Sequence, residues 1–191
     1  ASRGETGGIL RQGTVPVTEV RAGVIIGPGS AAFEVIRDLV FHLPAMVTPR
    51  WVHSRSQPIA LDDVLDYLLR LPEIPQAEGA IYDVGGPEVL TYAQMMREFG
   101  DLVGRRPVTV PVPVLTPRLS SYWVNLVTPI PAVIARPLIE GLRNENVVHD
   151  PIAASLFPDI RPVSYRESVA RALTRLQASN VETAWSDALS T

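Results

Sequence analysis

The sequence contains no cysteine, and its three histidines (His42, His53 and His149) lie far apart in the chain. The absence of cysteine excludes thiol catalysis, a disulfide framework and a zinc site built on cysteine. No histidine, aspartate or glutamate stands four residues after any of the histidines, which is the spacing of paired ligands on a helix. We therefore expect no structural metal.

Neither a basic cluster nor a long apolar run is present. The net charge is −3, and no group of cationic residues is dense enough for a nucleic-acid-binding face. The longest uncharged stretch, 119–135, has 17 residues and contains two prolines, so it is too short and too broken for a membrane span. Residues 1–13 are polar and glycine-rich, without the apolar region of a signal peptide. A cytoplasmic protein without membrane or nucleic-acid partners is expected.

Hydrophobic residues make up 46% of the chain and charged residues 19%, which is typical of a globular protein with a substantial core. Proline is the unusual component, since its 18 residues are roughly twice the ordinary share. The prolines concentrate in 44–75 and 107–162. These regions are predicted to be loops around short elements, where ligand pockets are commonly built.

An apolar strand ends in a tight turn near the start of the chain. Residues 14–27 are rich in valine and isoleucine with little alternation, which predicts a strand covered on both faces. Pro28 and Gly29 end it, and Ser30 is placed to cap a helix over 31–42. Such a strand belongs inside a parallel sheet with neighbours on both edges, but only eighteen residues precede Glu19. An open edge would favour pairing with another chain.

Further strands and helices alternate along the chain. A helix is predicted from Leu61, with Asp62 and Asp63 complementing its dipole rather than forming a paired-carboxylate site. "GAIYDVGG" reads as a second buried strand, and "PVTVPVPV" as an edge strand limited by its prolines. Thr91 and Ser164 open two capping boxes before helices ending near 103 and 177. The order predicts an α/β fold, followed by helical segments broken by prolines from 116 to 143.

Three motifs in register resemble a known family. "VRAGVIIGPG", "QPIALDDVLDYLLRL" and "GAIYDVGGPEVLTYAQMMREFGDLVGR" are similar to consecutive segments of extended short-chain dehydrogenase/reductase proteins, the NAD-dependent epimerase/dehydratase branch. "SYWVNLVTPIPAVIARPLIEGLRNE" and "AWSDAL" resemble an atypical subgroup akin to the nucleotide-binding accessory subunit of respiratory complex I. The resemblance implies the C-terminal part of a Rossmann-like parallel sheet, with a mostly helical substrate-side region. Its expected divisions are a back half with a substrate loop (1–110), a mostly helical part (111–178) and a linker or tail (179–191).

The resemblance also implies NAD or NADP in the intact parent protein. The cofactor pyrophosphate of that family lies on a glycine-rich turn between a strand and a helix. "GETGG" (4–8) has glycines but no preceding strand, so it is not predicted to be that turn and no tight cofactor binding by this chain is expected. Arg3 stands where the family has its catalytic lysine, and the tyrosine position falls before Ala1. Because a guanidinium does not relay a proton, no catalytic residue is assigned.

By the same resemblance, Ala22, Gly23 and Val24 line the nicotinamide side, with Arg3 holding ribose hydroxyls. Gly27 and Pro28 shape the substrate mouth. A loop with little periodicity, 43–58, carries further substrate contacts, and these are Arg50, Arg55 and Gln57. Arginine suits bidentate binding of phosphate or carboxylate, so a small anionic or nucleotide-linked ligand is expected. Ordinary solvated surface arginines are the alternative.

Two functions remain open. The leading one is the substrate-side portion of an NAD(P)-binding reductase- or epimerase-like protein, not catalytically competent alone. The alternative is a non-catalytic binding or assembly module that retains the fold without the chemistry, which Arg3 and the lack of the tyrosine favour. In either case the expected partner is an N-terminal half of the fold, or a second copy that pairs through the open sheet edge.

Overall fold

The computed structural model describes residues 2–42, 45–48, 50–105, 108–111, 141 and 144–178. Within them, helices and strands alternate along most of the chain. The helices are α1 (Ser2–Leu10), α2 (Ala31–His42), α3 (Leu61–Arg70), α4 (Tyr92–Leu102), α5 (Ile152–Leu156) and α6 (Tyr165–Gln177), with 3-10 turns at Arg50–His53, Leu71–Glu73 and Pro75–Ala77. The strands are β1 (Glu19–Ala22), β2 (Ile25–Ile26), β3 (Ala45–Thr48), β4 (Arg55–Ser56), β5 (Ile59–Ala60), β6 (Ile81–Val84), β7 (Leu90–Thr91) and β8 (Val108–Pro111). The predicted α/β class is confirmed.

The first predicted strand is divided in two, and the parts pair with different neighbours. β1 runs parallel to β6, with Arg21 opposite Asp83 and Ala22 opposite Val84. After Gly23 the chain continues as β2, which runs parallel to β5. The Ile59 amide donates to the Val24 carbonyl at 2.9 Å and joins the two pairings. The "GAIYDVG" neighbour predicted from the sequence is therefore confirmed.

β1 is not covered on both faces, which corrects the expectation for this strand. Val20 and Ala22 pack against a hydrophobic core, but Glu19 and Arg21 alternate with them and form a charged opposite face. The side chain of Arg21 is 47% exposed. Among the described strands, β1 is paired along one edge only.

Two hydrophobic cores lie on either side of this strand path. The larger core joins α2, α4 and α6, with Phe33, Phe99 and Tyr165 almost fully buried. The smaller core joins α3, α5 and β6, where Tyr67 and Phe157 meet edge to face with ring centroids 5.8 Å apart. The core positions follow the helical spacing of the apolar residues, because each helix buries one stripe.

Helix starts agree with the sequence prediction. The Thr91 hydroxyl accepts from the Gln94 amide at 3.2 Å, and the Gln94 side chain accepts from the Thr91 amide at 2.8 Å, completing the capping box. Ser164 accepts from the Glu167 amide at 3.2 Å and caps α6, but the Glu167 carboxylate pairs with Arg171 and does not complete the predicted capping box. Ser30 precedes α2, whose bounds are those predicted. Gly104 follows α4 with φ of 68°, the left-handed conformation that ends a helix.

The stretch 43–58 is more regular than predicted. It contains β3, a 3-10 turn and β4, where the sequence indicated a loop. β3 pairs in parallel with β8, so "VTVP" is a strand, but its partner is not β1. The sequence did not predict these strands because each is too short to show a clear alternation of apolar and polar residues. The helical segments expected within 116–140, the apolar stretch 119–135 and the tail 179–191 lie outside the described residues.

Candidate functional site

A cavity of about 200 Å³ opens at the carboxyl ends of β1 and β6. In open α/β sheets, ligands bind in the crevice at the carboxyl ends of the strands. The floor consists of the last residues of both strands, and the segment 145–149 forms a wall. The lining residues are Arg21, Ala22, Gly23, Gln57, Asp83, Val84, Glu145, Asn146, Val147, Val148 and His149.

Arg21, on the floor of the cavity, is the end of a chain of ion pairs. The Arg21 Nε donates to Glu19 Oε1 at 2.7 Å, and Arg11 also pairs with Glu19. The hydrogen bonds from Arg21 and Arg11 lower the pKa of Glu19. The Asp83 carboxylate, on the residue directly across from Arg21 in the sheet, makes no hydrogen bond with any described residue and contributes to raising the pKa of the guanidinium.

The Gln57 side chain links the segment 145–149 to the segment that follows β6. Its amide nitrogen donates to the Gly86 carbonyl at 2.7 Å, and its amide oxygen accepts from the Val148 backbone amide at 3.0 Å. The Gln57 backbone amide also donates to the Asn146 carbonyl at 2.8 Å. The structure thus brings Gln57 to the cavity with Ala22 and Gly23, but with both ends of its side chain already in hydrogen bonds.

Arg55 forms a bidentate ion pair with Glu145. Nε donates to Oε1 at 2.8 Å, and a terminal nitrogen donates to Oε2 at 3.0 Å. The paired hydrogen bonds raise the pKa of Arg55 and lower that of Glu145. The fork that was expected to hold an anionic ligand is therefore occupied by a carboxylate of the chain itself.

The remaining predicted site residues lie elsewhere. Val24 is buried in the larger core. Gly27 and Pro28 border a separate narrow cavity beside α3 and α6. Arg3 lies in the first turn of α1, and Arg50 begins a 3-10 turn, but the positions of both side chains are outside the described structure. The sequence "GETGG" is part of α1 rather than a loop, in agreement with its rejection as a phosphate-binding turn.

A buried polar cluster lies below Gly23, and sequence reasoning did not find it. Ser56 is fully buried, and Tyr92 is 3% exposed. Burial raises the pKa of the Tyr92 phenol, while the nearby side chains of Ser56 and Asn146 act in the opposite direction. A Cβ at Gly23 would approach Ser56 Oγ to 2.9 Å, so the site requires glycine. These residues are far apart in the sequence, and the only signal for the cluster there is that all of them are polar.

The described tyrosines offer no phenol to the cavity. Tyr67, Tyr82, Tyr92 and Tyr165 are all at most 4% exposed, and none of them lines it. Burial raises the pKa of Tyr67, Tyr92 and Tyr165, which opposes phenolate formation. In the described part of the chain, no group of three or more histidine, aspartate or glutamate side chains is arranged to hold a metal. No described helix is long and apolar enough to cross a membrane.

No protein-family model matches the sequence, and no curated protein matches it. Solved structures do match. An epimerase from Methanothermobacter thermautotrophicus aligns with a TM-score of 0.59 and 14% identity over 95% of this chain. The UDP-glucose 4-epimerase from Thermotoga maritima gives 0.60 and 16% over 93%. The UDP-glucuronic acid 4-epimerase from Bacillus cereus, solved with UDP-glucuronic acid and NAD, gives 0.60 and 12% over 92%.

The chain has a Rossmann-like epimerase/dehydratase fold. It spans about half the length of these structures, covering 50%, 52% and 50% of them respectively. The predicted fold class is therefore confirmed at the level of architecture. At such low identity the likeness concerns the fold, and the chemistry has to be argued from this chain's own residues.

Proposed function

We propose that this chain is the substrate-side portion of an NAD(P)-binding reductase- or epimerase-like protein, within the complex I accessory-subunit-like subgroup that its sequence resembles. The proposal rests on the cavity at the carboxyl ends of β1 and β6, in a chain that matches half of an epimerase fold. The cavity would receive part of a nucleotide-linked ligand, and an N-terminal half would supply the glycine-rich turn for the cofactor pyrophosphate.

Among the described residues, the contacts available to a cofactor lie on the floor of the cavity. Gly23 lines the cavity without a side chain, and it passes so close to Ser56 and Asn146 that a Cβ would collide with both. Ala22 adds only a methyl group beside it. These positions suit the close approach of a flat ring to the strand end, which is what the nicotinamide side of the fold requires.

The chemistry of the family is not expected from this chain alone. The described tyrosines are buried with pKa values mostly raised, and Arg3 replaces the family lysine. A guanidinium holds ribose hydroxyls but does not exchange a proton near neutral pH. The same observations favour the second candidate, a binding or assembly module that retains the fold without catalysis.

One pair of calorimetric titrations tests the proposal. The isolated chain is titrated with NAD and NADP, and so is a longer polypeptide in which the chain follows the proposed N-terminal half. We expect no micromolar binding by the isolated chain and clear binding by the longer one. Micromolar binding by the isolated chain, or no binding by the longer one, would overturn the proposal. Cofactor reduction by the longer polypeptide would decide for an enzyme, and binding without reduction for the second candidate.

The proposed partner is argued from the edge of β1 along which no described strand pairs. An N-terminal half would continue the sheet there, and in its absence a second copy would pair or swap at the same edge. Sedimentation velocity of the pure chain over a range of concentrations is the direct measurement. Dimers or larger species are expected, and a monomer at every concentration would show that the edge needs no partner.

A further inference from the structure

The wall of the cavity, residues 145–149, is attached to the rest of the molecule mainly by polar contacts. In the described part of the chain, neither hydrophobic core includes any residue of this wall segment. Val147 and Val148 are half-buried, and the other three residues are exposed. A segment with few buried apolar contacts opens locally at a low cost in free energy, whereas core elements open only when the domain unfolds.

Three amide hydrogen bonds join the wall segment to β4 and the residue that follows it. The Gln57 backbone amide donates to the Asn146 carbonyl at 2.8 Å, and the Asn146 amide donates to the Arg55 carbonyl at 3.0 Å. Asn146 thereby forms a parallel bridge with Ser56. The Val148 amide donates to the Gln57 side chain at 3.0 Å. All three bonds break together if the wall segment moves away from β4.

The ion pair between Arg55 and Glu145 lies across the same boundary. Its two hydrogen bonds are 2.8 and 3.0 Å long, and the side chains are 59% and 48% exposed. An exposed pair contributes only a small free energy, because water screens the two charges and both side chains lose conformational freedom. The pair therefore favours the closed position without fixing it permanently.

In this closed position the wall segment lies directly over the ends of β1 and β6. Gly23 and Gly85 are the residues that immediately follow these strands. A Cβ at Gly23 would approach the Asn146 carbonyl oxygen to 3.0 Å, and a Cβ at Gly85 would approach Val148 Cγ2 to 2.9 Å. The absence of a side chain at both positions allows the wall segment to lie this close.

We propose that the wall segment is a lid that opens away from β4 while the rest of the fold stays intact, and that the Arg55–Glu145 ion pair holds it closed. Opening uncovers the backbone at Gly23 and Gly85 and widens the cavity. The segment is suited to this motion because its attachments are hydrogen bonds and one ion pair, all of which water replaces when they break. The inference concerns a motion of the chain and does not depend on the proposed function.

Native-state hydrogen exchange of the full chain, resolved by NMR at increasing urea, tests the lid. The amides of Gln57, Asn146 and Val148 should share one opening equilibrium that hardly changes with urea, because the opening exposes little surface. The Ile59 amide donates to the Val24 carbonyl, outside the wall segment. It should exchange more slowly and depend strongly on urea.

Glu145→Ala should raise the opening equilibrium of the three amides about two- to fivefold, which is the contribution of an exposed ion pair. The Ile59 amide should be unchanged. Asp159→Ala is the matched control, because Asp159 forms the same kind of bidentate pair with Arg70 and both residues are outside the cavity lining. This control should leave the exchange of the three amides as in wild type.

Gly85→Ala gives a second, independent variant. The added methyl group would collide with the side chains of Gln57 and Val148, so it should raise the exchange rate of the Val148 amide about tenfold. The lid is refuted if the three amides follow Ile59 in their urea dependence, or if both variants leave them unchanged. It is equally refuted if Glu145→Ala accelerates Ile59 by the same factor, or if the Asp159→Ala control accelerates the three amides.

Discussion

Replacing Gln57 with leucine should destabilise the fold rather than simply weaken a ligand contact. Leucine retains most of the volume but removes the donor to the Gly86 carbonyl and the acceptor for the Val148 amide, which are bonds of 2.7 and 3.0 Å. Gly86 is buried, so its carbonyl would lose a partner that water cannot readily replace. Val148 is half-buried, so water can partly satisfy its amide.

An unsatisfied buried carbonyl costs about 1–3 kcal/mol, and a hydrogen bond exchanged for one to water costs about 0.5–1.5 kcal/mol. The expected cost is therefore about 1.5–4.5 kcal/mol. In a chain of this size, such a loss lowers Tm by roughly 3–18 °C. Urea denaturation followed by circular dichroism gives the free energy of unfolding, and Gln76→Leu is the control because Gln76 is exposed in a 3-10 turn.

A change below about 0.5 kcal/mol in Gln57→Leu would refute this reasoning, since surface substitutions commonly fall within that range. In the longer polypeptide, unchanged stability together with reduced ligand affinity would instead return Gln57 to the role that the sequence predicted. The two outcomes distinguish a structural role of Gln57 from a direct contact with the substrate.

Two further predictions concern stability. Burial raises the pKa of Asp63 above 3.8 in the folded state, so the folded chain binds this proton more tightly than the unfolded chain. Its contribution to stability should grow as the pH falls through the raised pKa towards 3.8, and Asp63→Asn should remove that component from urea midpoints measured across the acid range. In α1, Gly8→Ala should stabilise by about 0.8–1 kcal/mol because nothing lies near its Cβ position. Gly7→Ala should lose that gain because its Cβ would collide with the Glu19 carboxylate; equal melting temperatures for the two alanine variants would contradict the packing of α1 on β1.

Local signals predicted the helix ends well. The residues of the Thr91 and Ser164 caps are close in sequence, and their hydroxyls face the backbone amides they were expected to satisfy. The parallel pairing of β1 with β6 was also accessible, because each lies in a sequence segment that is apolar on average and ends at a glycine. A fold class follows from such elements once their order is known.

The charged face of β1 was missed for a physical reason. The run from Val20 to Ile26 is apolar on average, and that average concealed the alternation of Glu19 and Arg21 with Val20 and Ala22. In the structure the charges are compensated by ion pairs with one another and with Arg11. Period-two alternation over four residues is too short to stand out beside a longer apolar run.

The lining of the cavity could not be predicted from the sequence, for a different reason. Arg55 and Gln57 were predicted as ligand contacts from the family resemblance, but their partners Glu145 and Val148 come much later in the sequence. Nothing near Arg55 in the chain indicates that a carboxylate will occupy its fork. Side chains that are satisfied by remote segments look available in the sequence, and only the tertiary structure shows that they are taken.

The long-range hydrogen bonds of residues 145–163 also affect the order of folding. Glu145 bonds to Arg55 across 90 positions, Val148 to Gln57 across 91, and Val163 to Asp63 across 100. Contacts between residues so far apart in the sequence form late, after the local helices, because closing such long loops costs entropy. During synthesis, the ribosome completes β1, α2 and α4 long before it releases the segment that closes the cavity. We expect pulse-labelled amide exchange to protect α4 before Val148, so that the cavity at the ends of β1 and β6 forms after the helices.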